Sequence, residues 1–100
     1  MLTHCVFFWL KEGLTRTDEA TFQRGIRSLT RIPGVLDGVA GAPAATHRPV
    51  VDRSYSYGLV VKFENDADHD AYQVHPIHQE FLAACAGLWN KVLVYDFVDL

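Results

Sequence analysis

The chain has 100 residues, of which 49% are hydrophobic and 21% charged, which fits one globular domain over residues 1–100 and excludes a disordered chain. Its formal net charge is −3 with no basic run, which argues against nucleic acid as a partner. No apolar run approaches the roughly 20 residues that a membrane span needs.

"THCVFFWL" (3–10) reads as a strand with apolar residues on both alternating sets. His4, Val6, Phe8 and Leu10 form one set; Cys5, Phe7 and Trp9 form the other. A strand with one wet face does not look like this, so both faces of its sheet are expected to be covered. Residues 15–32 read as a helix. Thr15 or Thr17 caps it, Asp18 and Glu19 suit the positive end of the helix dipole, and Phe22, Ile26 and Leu29 recur at helical spacing. Pro33-Gly34 ends it. "VLDGVAG" (35–41) is a weak strand, 42–54 a long connection, and "YSYGLVVKF" (55–63) a clear strand with Tyr57, Leu59, Val61 and Phe63 on one face. Asn65 is placed to cap a short helix over 65–73, and Pro76 suits the first turn of a second one over 76–86. Residues 91–100 form a last strand, apolar on both faces apart from Asp96.

The order βαββαβ predicts an α+β, ferredoxin-like sandwich with both helical segments on one face of four strands. Nothing remains in the chain to cover the other face. A second copy, packed sheet against sheet to make a dimeric α/β barrel, is the simplest cover. Cys5 and Cys85 form no CxxC pair, and the opening "MLTHCVFFWLK" lacks a basic segment and a cleavage site, so a cytoplasmic protein without a signal peptide is expected.

Helical spacing puts His78 on the inward stripe with Phe81, Leu82 and Cys85. A buried imidazole of this kind is either satisfied by one backbone or tyrosine partner, or is a general base kept neutral near pH 7. His75, before Pro76, is read as a cap or a surface residue. No HExxH and no cysteine pair is present, and His75, His78, His69 and Asp70 make poor geometry for shared coordination, so no metal is expected. No haem ligand or other cofactor is singled out either.

Four stretches together resemble the stress-responsive dimeric α/β-barrel (Dabb) family: His4 on the first strand, "YSYGLVVKFEN", "AYQVHPIH" and "LWNKVLVYDF". The YxxHPxH pattern of Tyr72, His75, Pro76 and His78 is the most specific of them. The resemblance implies the ferredoxin-like homodimer already inferred, with a pocket between helices and sheet in each subunit. The family includes stress-induced stability proteins and a plant polyketide cyclase that closes its product by an intramolecular aldol reaction. In that cyclase the position matching His78 is the catalytic base, and the position matching Tyr72 lines the pocket. A second pocket histidine of the cyclase is matched by Tyr57, whose pKa near 10 makes it a hydrogen-bond donor and a poor base. The cyclase's first-helix tyrosine has no counterpart among Phe22, Gly25, Ile26 and Arg27. The resemblance thus implies His78, Tyr72 and Tyr57 as catalytic candidates and His4, Phe8, Leu59, Phe81 and Leu82 as ligand-binding ones. Besides oxygenation of an aromatic quinol, two functions stay open. One is cofactor-independent cyclase, isomerase or lyase chemistry on a small apolar or carbonyl-containing molecule. The other is a non-catalytic stress-stability or ligand-binding homodimer with a structural His78.

Overall fold

The computed structural model describes all residues from Met1 to Leu100. It runs β1 (Leu2–Leu10), α1 (Arg16–Leu29), β2 (Asp37–Gly41), β3 (Tyr57–Phe63), α2 (Asp66–Val74), α3 (Pro76–Cys85), a single 3-10 turn at Ala86–Leu88, and β4 (Trp89–Val98). The strands form one antiparallel sheet in the order β2-β3-β1-β4, the ferredoxin-like arrangement, with the helices on one face. No helix is long and apolar enough to cross a membrane.

The helix ends follow their capping chemistry. Thr15 Oγ1 accepts from the Asp18 amide while the Asp18 carboxylate accepts from the Thr15 amide, a reciprocal box that starts α1. α1 stops at Leu29, three residues short of the 32 expected. Thr30 Oγ1 donates to the Arg27 carbonyl, and the next two amides bond three residues back instead of four. Asn65 caps α2 as its sequence position implies. Gly25 is a close-approach residue and more than a weak helix position. A Cβ there would lie 2.7 Å from Cys85 Sγ and 3.0 Å from Phe81 Cδ1, so its absence lets α1 and α3 touch.

The core lies between helices and sheet. Val6, Phe8, Leu59, Val61 and Phe63 from the strands meet Phe22, Ile26, Leu29, Tyr72, Phe81 and Cys85 from the helices. Strand pairing sets which residues share this face. His4 pairs with Asp96, Val6 with Val94 and Phe8 with Val92. The register then shifts between Trp9 and Leu10, so Leu10 pairs with Trp89. This bulge brings the Trp89 ring to the helix side, 5.1 Å from Phe8 and stacked at 5.8 Å on Phe81. β4 therefore begins at Trp89 and not at 91.

β3 begins at Tyr57 and not at 55. The preceding residues fold back over the open face of β1: Trp9 Nε1 donates to Ser54 Oγ, the Leu10 amide to Ser56 Oγ, and Tyr55 packs edge-on against Phe7. The open face carries Phe7, Trp9, Val39, Val60, Leu93, Tyr95 and Phe97. Val39, Tyr95 (58% exposed) and Phe97 (57% exposed) form an apolar area that this segment leaves uncovered.

Candidate functional site

The break between α2 and α3 positions the site. His75 is extended (ψ 143°), as a residue before proline should be, and its Nδ1 accepts from the Ile77 amide. It is the cap of α3. Starting α3 at Pro76 turns His78 inward, one turn ahead of Phe81 and Leu82. Tyr72, in the last turn of α2, is 1% exposed and meets the His78 ring edge-on at 5.1 Å.

These residues enclose a cleft of about 170 Å³ between α2, α3, β1 and β4. His4, Phe8, Leu59, Tyr72, His78, Phe81 and Leu82 all line it. Ten of its 13 lining residues are hydrophobic, so polar groups inside it have few partners. His78 shows the effect: its Nδ1 is buried and makes no hydrogen bond. Burial, followed by the neighbouring His4, holds the His78 pKa below its ordinary value against the opposing pull of its own backbone, with His69 adding to the lowering, so the neutral ring is favoured at pH 7. Burial pushes the Tyr72 hydroxyl far up, and it stays protonated. The cleft thus presents an unprotonated imidazole nitrogen beside a phenol in apolar surroundings, the pairing that general-base chemistry at an oxygen-bearing carbon uses.

Tyr57 stands apart from this group, contrary to the expectation that it shares the pocket. Its ring packs on the fully buried Phe22 at 5.2 Å, and Phe22 packs on Phe8, so Phe22 fills the space between Tyr57 and the cleft. Its hydroxyl donates to Glu19 Oε2 at 2.9 Å and accepts from Gln23 Nε2 at 2.8 Å. Tyr57 lines a separate hollow with Gln23 and Arg27, none of which lines the cleft at His78. Cys85 is buried in the core, its thiol facing the Thr21 carbonyl and its pKa raised by burial, which fits packing and not a nucleophile.

His4 forms the inner wall. It is 5% exposed, and its Nδ1 lies 2.5 Å from Asp96 Oδ1 on the paired strand. Its other neighbours are His69, with ring centres 4.6 Å apart, and Tyr72 at 5.9 Å. Burial lowers the His4 pKa, while the Asp96 bond works in the opposite direction.

A family model of the stress-responsive A/B barrel domain (Dabb) matches residues 2–99. The chain belongs to the Dabb family. A stress-response A/B barrel domain-containing protein of Arabidopsis thaliana is 28% identical over 95 residues, covering 94% of this chain and 82% of that one. Two solved structures share the fold. A dimeric ferredoxin-like protein of unknown function from Thermobifida fusca superposes with a TM-score of 0.79 at 20% identity, over 98% of this chain and 90% of that one. The hydroxynitrile lyase of Passiflora edulis gives a TM-score of 0.79 at 20% identity, over 99% and 93%.

Several residues of this Dabb cleft were not legible in its sequence. Trp89 enters through a bulge that no local pattern marks, and Val92 and Val94 join because the pairing of β1 with β4 turns them to the helix side. His69 and Asp96 come to His4 from 65 and 92 positions away; the signal was Asp96 itself, the one acidic residue within the apolar last strand.

Proposed function

We propose that this Dabb protein binds a small, largely apolar molecule carrying a carbonyl group, and that His78 acts on it as a general base. The observation that carries this reading is the buried, unpartnered Nδ1 of His78. A structural histidine is kept by a hydrogen-bond partner; a buried donor or acceptor without one costs roughly 1–3 kcal/mol. Tyr72 meets His78 ring to ring and supplies no such partner. In the proposed step His78 takes a proton from the carbon next to the carbonyl. The C–H electrons form an enolate, the Tyr72 hydroxyl donates a hydrogen bond to its oxygen, and the proton returns in the completing step. Aldol-type cyclisation, isomerisation and retro-aldol lyase reactions all begin or end this way.

A cleft of about 170 Å³ is close to cavities of about 150 Å³ that accept benzene, so an aromatic ring or a short branched chain fits it. Phenylacetone in D2O is a suitable probe, followed by proton NMR of the carbon beside the carbonyl. The native protein should accelerate exchange at that carbon. His78→Ala should lower the accelerated rate by about 10²–10⁴, the usual worth of a positioned base. Equal rates for the two proteins would remove His78 from the role.

The reading includes a homodimer, with a second copy covering the open sheet face, and a cytoplasmic location. The exposed Tyr95 and Phe97 support the first, as does the dimeric Thermobifida protein. Cys5 and Cys85, both free thiols, support the second. A non-catalytic ligand-binding dimer is the second reading. The run of rings from His69 through Tyr72 and His78 to Phe81 favours it, because such stacked and edge contacts stabilise a fold whether or not it turns over a substrate.

A further inference from the structure

We propose that His4, His69 and Asp96 form a binding site for one divalent transition-metal ion of the zinc, cobalt or nickel class. Their candidate ligand atoms all lie within 4.8 Å of one another. Three separate elements bring them together. His4 on β1 and Asp96 on β4 are directly opposed in the antiparallel register, and His69 comes down from α2. None is on a loop, so the spacing is set by the sheet and by α2 packing on it.

The donor set selects the ion. Two imidazoles and one carboxylate suit zinc, cobalt, nickel or ferrous iron, whereas magnesium and calcium prefer oxygen alone. Bonds of about 2.0–2.2 Å around a tetrahedral ion set the donors roughly 3.4 Å apart. The widest separation here closes to that by about 1.5 Å, and the His4–Asp96 pair, now 2.5 Å apart, opens by about 1 Å. The Asp96 side chain is 42% exposed and free to make that adjustment, and its exposure gives the ion a way in. Gln73 Nε2, one turn further along α2, lies 3.0 Å from His69 Nε2; with the amide turned over, its Oε1 would accept from that ring N–H, the kind of outer contact that fixes a ligating imidazole. Three protein ligands leave a fourth position for water or a ligand atom. A hydrogen bond between His4 and Asp96 accounts for two of the three residues. It does not account for a second imidazole at the same carboxylate.

His78 and Tyr72 are not among the ligands, so the site stands whether or not the cleft is catalytic. The test is titration of chelator-treated full-length protein with Zn²⁺ by calorimetry, and with Co²⁺ by visible absorption. One ion per chain is expected, with a cobalt spectrum of nitrogen and oxygen ligation. His69→Ala and Asp96→Asn should each weaken binding by about 100-fold or more, since loss even of outer partners of metal ligands costs 10–100-fold. Both side chains reach solvent, which keeps the variants foldable, and circular dichroism checks that they are folded. His47→Ala, on the exposed connection before β3, should leave binding unchanged. Absence of saturable binding at micromolar ion overturns the proposal. So does binding that survives both ligand substitutions, or that is lost with His47.

Discussion

Replacing His78 by phenylalanine separates a functional histidine from a structural one, because the two readings predict opposite signs. Phenylalanine keeps the edge contacts to Tyr72 at 5.1 Å and to Phe81 at 6.3 Å. It removes the buried Nδ1 that has no partner, relieving a penalty of about 1–3 kcal/mol. The slightly larger ring has the adjoining cleft of about 170 Å³ to expand into, so the overpacking cost of a filled core does not apply in full. A net gain of about 1 kcal/mol is expected, which for a domain of this size raises Tm by roughly 4–8 °C. Thermal unfolding followed by circular dichroism at one fixed protein concentration reads it, the concentration being held because a dimer's Tm depends on it. Exchange of phenylacetone protons should be lost in the same variant, so stability and activity move in opposite directions. A fall in Tm of several degrees would refute the reasoning, since it would mean that the fold relies on the imidazole.

The pKa of His78 lies below 6.5 when folded, so the unfolded chain binds more protons than the native one between the two values. The stability held at neutral pH should therefore decline as pH drops through 6.5 toward the folded pKa, and His78→Phe should flatten that decline. His4 on β1 and His69 and Tyr72 on α2 face His78, and NMR titration of its ring protons reads the midpoint directly. Gly25→Ala should destabilise the protein by about 1 kcal/mol, since overpacking against Cys85 and Phe81 at roughly 1–3 kcal/mol outweighs a helix-propensity gain of about 1 kcal/mol. Adding Cys85→Ala should recover part of that loss in a double-mutant cycle on Tm; strict additivity would place the strain elsewhere. Phe97→Asp should convert a dimer to a monomer in light scattering coupled to gel filtration, and a dimer that persists would move the interface off the open sheet face.

The fold was legible because each element carries its own period and punctuation. Alternating apolar sets marked β1 and β3, and Thr15, Asn65 and Pro76 marked helix starts through chemistry that acts within three residues. His78 was legible for the same reason, as one helical face is a local property. Tyr57 was not. Its alternation put it on the helix side correctly, but only the packing of Phe22 shows that this side is divided into two spaces. The cluster at His4 was equally hidden, because it depends on which residue of β4 stands opposite His4. The register of β1 against β4, with its bulge at Trp9/Leu10, decides that, and it has no sequence signature.

Val92 and Val94 line the cleft and yet are 41% and 45% exposed, so one side of the binding space is strand edge and not helix. Such a slot gauges the breadth of a guest and leaves its length unmeasured. Ligands with the same head and progressively longer unbranched tails should gain up to about 0.8 kcal/mol for each methylene that lies along these valines, then gain nothing once the tail passes beyond them. A head broader than an aromatic ring or a short branched chain, by contrast, should be excluded outright. Selectivity in this protein would then be written in girth, with α3 and the Trp89 ring as its jaws.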